Sequence, residues 1–205
     1  MANVGGVLTF KTKTEAQGYA PDWAALEKRF PEIKDIQSYA EKWAYIEGRI
    51  KVSIKDAIFV KAHRPKLPDS HRVVLNRVVT DDFCEDIVDN LITEVSAFGD
   101  YKFHHSGTGV GAEAAADSGL GTPELDARTV GTQAEDGSKT YSSVATETFD
   151  GVAAITEHGL FNTAGAGGPP VTGGILMDRT KFTSIGVTPG NQIEWTFTIA
   201  LTSGG

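Results

Sequence analysis

Residues 192–202 read Gln-Ile-Glu-Trp-Thr-Phe-Thr-Ile-Ala-Leu-Thr, and this stretch decides the fold class. Its alternate positions are all large and apolar: Ile193, Trp195, Phe197, Ile199 and Leu201. Because successive side chains of a strand point to opposite faces, this spacing predicts a core strand with one dry and one polar face. Such a strand belongs to an antiparallel sheet that covers a core on one side, as in a sandwich or an open barrel.

The chain around this strand has the composition of antiparallel β structure. Residues 188–191, Thr-Pro-Gly-Asn, place Pro and Gly at the centre of a type II turn. Nineteen of the 23 glycines lie from Gly99 onward, with short apolar runs between them. Further strands are therefore predicted at residues 101–104, 140–149, 152–155, 159–161, 175–182 and 185–187.

The N-terminal half is poor in glycine, and its apolar residues recur at helical spacing. Helices are predicted over residues 23–30, 32–47 and from about 80 to 98. Asp22 and the Thr-Asp-Asp run at 80–82 are candidate N-caps, and Gly48 is a candidate stop.

The whole pattern predicts an α+β chain with three regions. Residues 1–20 show little periodicity and are interpreted as an extended N-terminal arm with a short strand at 7–10, held by a neighbouring subunit, by its own domain or by a lattice contact. Residues 21–100 form a mixed region that also contains short strands at 50–54 and 73–79. Residues 101–205 form an antiparallel β-sandwich module.

Charge and composition disfavour several classes of protein. The net charge is −8, with 14 Lys/Arg and 15 Asp/Glu in residues 1–98 but 5 and 12 in residues 99–205. An acidic half of this kind does not attract a phosphate backbone, so no nucleic-acid partner is expected. No apolar run is long enough to span a bilayer and no signal peptide is evident, so we expect no membrane partner and synthesis in a cytoplasm. The single cysteine, Cys84, is interpreted as a small buried apolar residue.

Six short blocks recur in order through the second half. They read Phe103-His-His-Ser-Gly-Thr-Gly, Thr122-Pro-Glu-Leu, Val144-Ala-Thr, Ile155-Thr-Glu-His-Gly-Leu-Phe, Leu176-Met-Asp-Arg-Thr-Lys-Phe and Val187-Thr-Pro-Gly-Asn-Gln-Ile-Glu-Trp. Their order and spacing resemble a module of tailed-bacteriophage virion structural proteins. The resemblance covers residues 101–205 and does not extend to residues 1–100.

The resemblance implies a structural protein of the virion rather than an enzyme, with no cofactor and no metal. It favours a capsid decoration or cement protein that binds the major capsid protein or other virion subunits. By analogy with that class, the protein would be a homo-oligomer such as a trimer. A tail, collar or fibre-attachment protein is the first alternative, and a host-surface or carbohydrate-binding module is the second.

Two unlike charges, Glu157 and Arg179, lie inside otherwise apolar blocks. We hypothesise that they pair across neighbouring strands and fix the register, as a charge-assisted hydrogen bond can. The alternative is two solvated side chains. The block that contains Glu157 also contains Gly159, which would permit a bend or bulge in its strand.

Other clusters suggest chemistry less strongly. His104 and His105, with His158, resemble metal ligands, but adjacent strand residues face opposite ways and at most one of the pair can join a common site. Residues 107–112, Gly-Thr-Gly-Val-Gly-Ala, resemble a dinucleotide fingerprint, yet no helix and parallel strand follow, so a glycine-rich turn is favoured. The Gly-rich loop 165–174 is either an exposed tip that a partner orders or a tolerated insertion.

Overall fold

The computed structural model describes residues 9–77, 79–92, 100–136 and 139–202. These residues form two antiparallel sheets and four α-helices. In chain order the elements are β1 (Thr9–Tyr19), α1 (Trp23–Arg29), α2 (Tyr39–Ile50), α3 (Ile54–Ala62), β2 (Arg72–Arg77), α4 (Asp81–Ile92), β3 (Phe103–Gly107), β4 (Thr129–Val130), β5 (Thr132–Glu135), β6 (Thr140–Thr148), β7 (Ala153–Phe161), β8 (Leu176–Val187) and β9 (Gln192–Thr202). The strand orders are β2-β1-β9-β6-β5 and β4-β3-β7-β8.

Strand β9 is the middle strand of the five-stranded sheet and has the predicted bounds. Four of its five alternate apolar residues are buried: Ile193, Trp195, Phe197 and Ile199. Leu201 differs, with 42% of its surface exposed, because it lies beyond the Thr140–Ala200 pair at which β6 begins. The predicted turn precedes the strand: Gly190 has φ +83°, and Asn191 N–H donates to the Thr188 carbonyl over 2.9 Å.

Strand β1 shows that the described part of the N-terminal arm, from residue 9, is held by its own chain. It pairs with β9 along its whole length, from Thr9–Thr202 to Tyr19–Gln192, and with β2 on its other side. Ala16 lies in the core between the sheets. The five-stranded sheet extends across the predicted boundary at residue 100, since β1 and β2 belong to the same sheet as β9. Residues 1–8, including the start of the strand expected at 7–10, lie outside the described residues.

The helices begin where side-chain caps are available. Asp22 accepts from Ala25 N–H over 3.0 Å, as predicted for α1. The second helix starts later than predicted, because Ser38 caps it, and it passes through Gly48 to Ile50. The strand expected at 50–54 is wrong: a turn is followed by α3, which Ser53 caps.

Helix α4 begins after Thr80, whose hydroxyl accepts from Phe83 N–H over 3.3 Å. It is described to Ile92, so the remainder of the helix predicted to residue 98 lies outside the described residues. Phe83 packs with Leu160 of one sheet and Phe197 of the other. This helix therefore closes one end of the space between the sheets.

Two predicted breaks are absent from the four-stranded sheet. The runs at 152–155 and 159–161 form the single strand β7, and those at 175–182 and 185–187 form β8. The β7–β8 register shifts between Ile155 and Glu157 and again between Leu160 and Phe161, and not at Gly159. Gly159 is needed for space, since an added Cβ would lie 2.9 Å from side-chain carbons of both Leu120 and Leu176.

Helices α1 to α3 have a core of their own beside the sheets. Its buried members are Leu26, Phe30, Ile33, Trp43, Ile46 and Val60. This helical unit is tied to the sheet region by Trp23, whose indole N–H donates to the Gly190 carbonyl over 3.0 Å. It is tied again by Arg64, which donates to Gln192 Oε1 over 2.5 Å.

Candidate functional site

A chain of polar side chains lies between the two sheets. The four-stranded sheet contributes His104, Ser106 and His158, and the five-stranded sheet contributes Ser143, Glu147 and Trp195. All six residues are buried. His104 and Ser106 face inward because they alternate on β3, whereas His105 faces outward and bonds the Glu124 carbonyl over 3.1 Å. Of the adjacent histidines, His104 alone meets His158.

The two inward histidines bond each other. His104 Nδ1 lies 3.0 Å from His158 Nε2, and His104 Nε2 lies 2.9 Å from Ser143 Oγ. Burial lowers the pKa of His104 to about 3 and holds that of His158 well below its usual value, so both rings are neutral. His158 also stacks on Trp195, with ring centroids 4.2 Å apart.

The hydrogen-bond network assigns the tautomers. His158 Nδ1 has no hydrogen-bond partner among the described residues. Because buried N–H groups without an acceptor are rare, we place the proton of His158 on Nε2, from which it is donated to His104. His104 then donates its own Nε2–H to Ser143. The two rings thus join β7, β3 and β6 across the interior. No group of three or more His, Cys, Asp or Glu in the described ranges is placed to hold a metal ion.

Glu147 ends the polar chain and was not singled out from the sequence. Its carboxyl accepts from the Ser106 hydroxyl, from Ser106 N–H over 3.3 Å and from Trp195 Nε1–H over 2.9 Å. Burial raises its pKa to about 7, against the lowering effect of those donors. Glu147 also lines a cavity of about 360 Å³ between α2 and β6. A carboxyl that titrates near neutrality therefore lies at the centre of the fold.

A second polar cluster covers the outer face of the four-stranded sheet, and it contains Glu157 and Arg179. The structure places Arg179 Nε 2.7 Å from Glu157 Oε2, on neighbouring strands as hypothesised. Glu157 Oε1 also accepts from Gly109 N–H over 3.0 Å and from Thr122 N–H over 2.8 Å, and Oε2 accepts from Gly121 N–H over 3.1 Å. Burial opposes ionisation, but these donors outweigh it and lower the pKa of Glu157.

Arg179 extends the cluster to the connection that follows β3. Its Nη1 donates to Asp117 Oδ2 over 2.9 Å and to the Ala112 carbonyl over 3.3 Å. Together, Glu157 and Arg179 fasten residues 109–122 over the sheet. The pair therefore orders a loop as well as two strands, a role that strand spacing alone could not reveal.

The carboxylate of Glu157 accounts for two of the three glycines in the 107–112 pattern, Gly107 and Gly109. A Cβ at Gly107 would lie 2.6 Å from Glu157 Oε1, and one at Gly109 would meet the same oxygen. A Cβ at Gly121 would lie 2.9 Å from Arg179 Nη2. Backbone N–H groups of Gly109, Gly121 and Thr122 thus bind an anion, as those of phosphate-binding loops do, but the anion is the chain's own Glu157.

Alanine at Gly109 is expected to destabilise the protein by about 1–3 kcal/mol, because the added methyl group would displace the Glu157 carboxylate from its donors. Gly111 supplies the matched control, since nothing lies within 4 Å of a Cβ there. The Gly111→Ala variant should stay within about 0.5 kcal/mol of the unaltered protein. Urea unfolding measures both changes. Equal effects at the two glycines would show that the Glu157 carboxylate does not constrain position 109.

The other features noted in the sequence, the loop at 165–174 and Cys84, are held by contacts within the chain. The loop at 165–174 is anchored at its base, where Arg128 donates to the carbonyls of Thr163 and Gly173 over 3.0 and 2.8 Å. Cys84 is partly buried beside the α4 core, and burial raises its pKa. Trp43 is buried in the core of the helical unit, and Trp195 is buried between the sheets as the alternation of β9 predicted.

Comparisons of the chain with protein-family models, with curated proteins and with solved structures gave no match. Across the described residues, every helix is too short or too polar to cross a bilayer.

Proposed function

We propose that this chain is a non-enzymatic structural protein of a tailed-bacteriophage particle, made in the host cytoplasm and carried in the virion. Within that class we propose a capsid decoration or cement protein, which stabilises the head by binding neighbouring subunits of the major capsid protein. The order and spacing of the blocks between residues 103 and 195 support this proposal.

The internal use of the reactive side chains is the observation that carries the proposal. His104 bonds His158 across the interior, and Glu147 bonds Ser106 and Trp195. Glu157 and Arg179 bond each other and the loop at residues 109–122. The two histidines, the two glutamates and Arg179 are each at least nine-tenths buried. Because these side chains form their hydrogen bonds within the chain, their role is to stabilise the fold. Binding to other subunits would then use the outer surface of the protein.

A β-sandwich is the finer fold that we propose, and the contacts between the sheets support it. Trp195 of one sheet packs against Phe182 of the other, with ring centroids 5.6 Å apart. Thr14 Oγ1 of β1 lies 3.2 Å from Thr180 Oγ1 of β8. Inner faces that interdigitate over a shared core are typical of sandwiches.

Attachment would proceed by burial of apolar and main-chain surface against several subunits at once. Many modest contacts hold a subunit on a shell because each one raises the effective concentration of the others. A tail, collar or fibre-attachment role uses the same physics on a different part of the particle. It is the alternative that a localisation experiment must separate from decoration of the head.

Gold-labelled antibody or cryo-electron imaging of purified particles tests the proposal. We expect density for the chain on the head shell, in many copies. Density confined to the tail would replace the decoration role with the tail alternative. Particles that lack the protein altogether would contradict every virion role.

A further inference from the structure

The exposed face of α3 combines apolar and basic side chains. Val52, Ile54 and Ile58 are 83%, 81% and 66% exposed, and the two isoleucines lie one turn apart on the helix. Lys55 and Lys61 are exposed on either side of the isoleucines. The opposite side of α3 packs against the core of the helical unit. Exposed apolar side chains that cluster in this way, rather than scatter singly, are typical of a docking site.

The surroundings of this face are basic, although the chain as a whole is acidic. Residues 49–66 contain six Lys/Arg and one acid, Asp56, while the net charge of the chain is −8. Arg29 holds Asp56 over 2.5 Å, so that carboxylate does not neutralise the lysines. Within the described ranges, neither Lys55 nor Lys61 forms an ion pair. The face therefore suits an apolar surface that carries carboxylates.

Helix α4 presents a face of the opposite charge. Residues 81–92 contain five Asp/Glu and no Lys or Arg. Asp81, Glu85 and Val88 are exposed, and spacings of four and three residues place them on one side of the helix. Phe83 and Ile87 lie on the other side, against the core between the sheets. Exposure and helical position together turn the two carboxylates and the valine outward.

The helix dipole accounts for only part of this acidic face. Acidic side chains in the first turn stabilise a helix, and Asp81 and Asp82 lie there. Glu85 lies beyond the first turn, where the dipole gives it no benefit. Among the described residues, no ion pair joins Asp81 or Glu85 to a Lys or Arg. Because like charges one turn apart repel, cations brought by a second molecule would stabilise this face.

We propose that copies of this chain associate head to tail, with the exposed face of α3 in one copy against the exposed face of α4 in the next. The isoleucines of α3 contact Val88, and the lysines of α3 face Asp81 and Glu85. The two helices contain 9 and 12 residues, so they can lie alongside each other over most of their length. The inference names a second copy as a partner in the assembly role proposed above and rests on it.

The size and symmetry of this contact determine how it acts. Two helix faces bury less surface than the interface of a stable dimer, so isolated copies associate weakly, whereas many copies on one particle hold together. The contact is heterologous, since different surfaces of the two copies meet. It closes into a ring when the rotation between copies permits, and otherwise extends as a chain.

A charge-swap experiment tests the contact. The α3 variant is Lys55→Glu with Lys61→Glu, and the α4 variant is Asp81→Lys with Glu85→Lys. Sedimentation at low salt, at concentrations up to about 1 mM, should show association of the unaltered protein. Each variant alone should associate at least about 100-fold more weakly, since like charges would then face each other. An equimolar mixture of the two variants should regain association, because each α3 face then finds an α4 face of opposite charge.

A second variant, Ile54→Ala with Ile58→Ala, separates apolar docking from attraction between charges. Both side chains are exposed and alanine favours helix, so this variant should fold as stably as the unaltered protein. Its association should be at least about 10-fold weaker, because the contact would bury less apolar surface. Unchanged association would show that the isoleucines lie outside the contact, and the proposal would then be wrong.

Matched controls make the same charge changes at exposed positions outside the two helices. They are Lys28→Glu with Lys34→Glu, and Glu32→Lys with Asp35→Lys. Both should associate like the unaltered protein, and thermal melts should show that all variants fold. Failure of the charge-swap mixture to associate, or an unaltered protein that stays monomeric at low salt, would overturn the proposal. An α3 variant that loses attachment to particles but still self-associates would also overturn it, because α3 would then serve another virion subunit.

The outcome is separable from that of the imaging experiment. A protein found on particles whose charge-swap variants do not complement each other would retain the virion role and lose this contact. Complementation by a protein absent from particles would retain the contact and lose the virion role.

Discussion

Alanine in place of Glu157 is expected to lower the free energy of unfolding by about 3–5 kcal/mol, because buried Arg179 would lose the nearer of its two counter-ions and keep only Asp117. The same change leaves the N–H groups of Gly109, Gly121 and Thr122 without their acceptor. Residues 109–122 should therefore loosen from the sheet. Urea unfolding would measure the loss of stability. Hydrogen exchange should be faster at the backbone amides of Gly109, Gly121 and Thr122.

A double-mutant cycle isolates the pair itself. The Glu157→Ala and Arg179→Ala losses should fail to add, with a coupling of about 1–3 kcal/mol in the double variant. Glu135 is the control, since it is exposed on β5, and its alanine variant should stay within about 0.5 kcal/mol of the unaltered protein. Strictly additive losses would mean that the two charges do not stabilise each other, despite the 2.7 Å between Arg179 Nε and Glu157 Oε2.

The free energy of unfolding of the Glu147→Gln variant is expected to rise relative to that of the unaltered protein, by about 3 kcal/mol between pH 4.5 and pH 8. The pKa of Glu147 is raised to about 7 in the folded state, so the folded protein holds a proton there that the unfolded chain has released. The stabilising contribution of that group is complete below the unfolded pKa and is lost as pH rises through the folded one. Glutamine mimics the protonated carboxyl and does not titrate.

The measured quantity is the difference in unfolding free energy between the variant and the unaltered protein at each pH. The histidines also make stability depend on pH in this range, but their contribution changes with pH in the opposite direction. Burial lowers the pKa of His104 and His158, so their contribution is present above the ordinary histidine pKa and is lost as pH falls below it. That contribution is common to both proteins and cancels in the difference. Urea unfolding at several pH values gives the difference, and a value that does not change with pH would mean that Glu147 ionises normally.

Local patterns predicted much of the secondary structure. Strand β9, its type II turn and the Asp22 cap all depend on residues within a few positions of one another. The errors arose where a local pattern had two solutions. Residues 50–54 alternate like a strand, but Ser53 can cap a helix, and Ile54 lies exposed on that helix rather than in a sheet.

The candidate sites also differ in how far the local sequence predicts them. Glu157 and Arg179 stand out as charges among apolar residues, so their pairing could be hypothesised before any contact was known. Glu147 does not stand out in this way, because its neighbours Thr146 and Thr148 are also polar. The sequence of β6 therefore gives no sign that this carboxyl is buried. Its buried state depends on Ser106 and Trp195, which are 41 and 48 positions away in the chain.

The sequence by itself determined the alternation of β9, the helical caps and the turn, since backbone sterics and side-chain spacing act over a few residues. Tertiary structure alone decided that β1 lies beside β9, that His104 meets His158, and that a glycine turn surrounds Glu157. Those outcomes depend on which distant segments come together, and the free energy that selects them comes from burial and hydrogen bonds that no short stretch of chain contains.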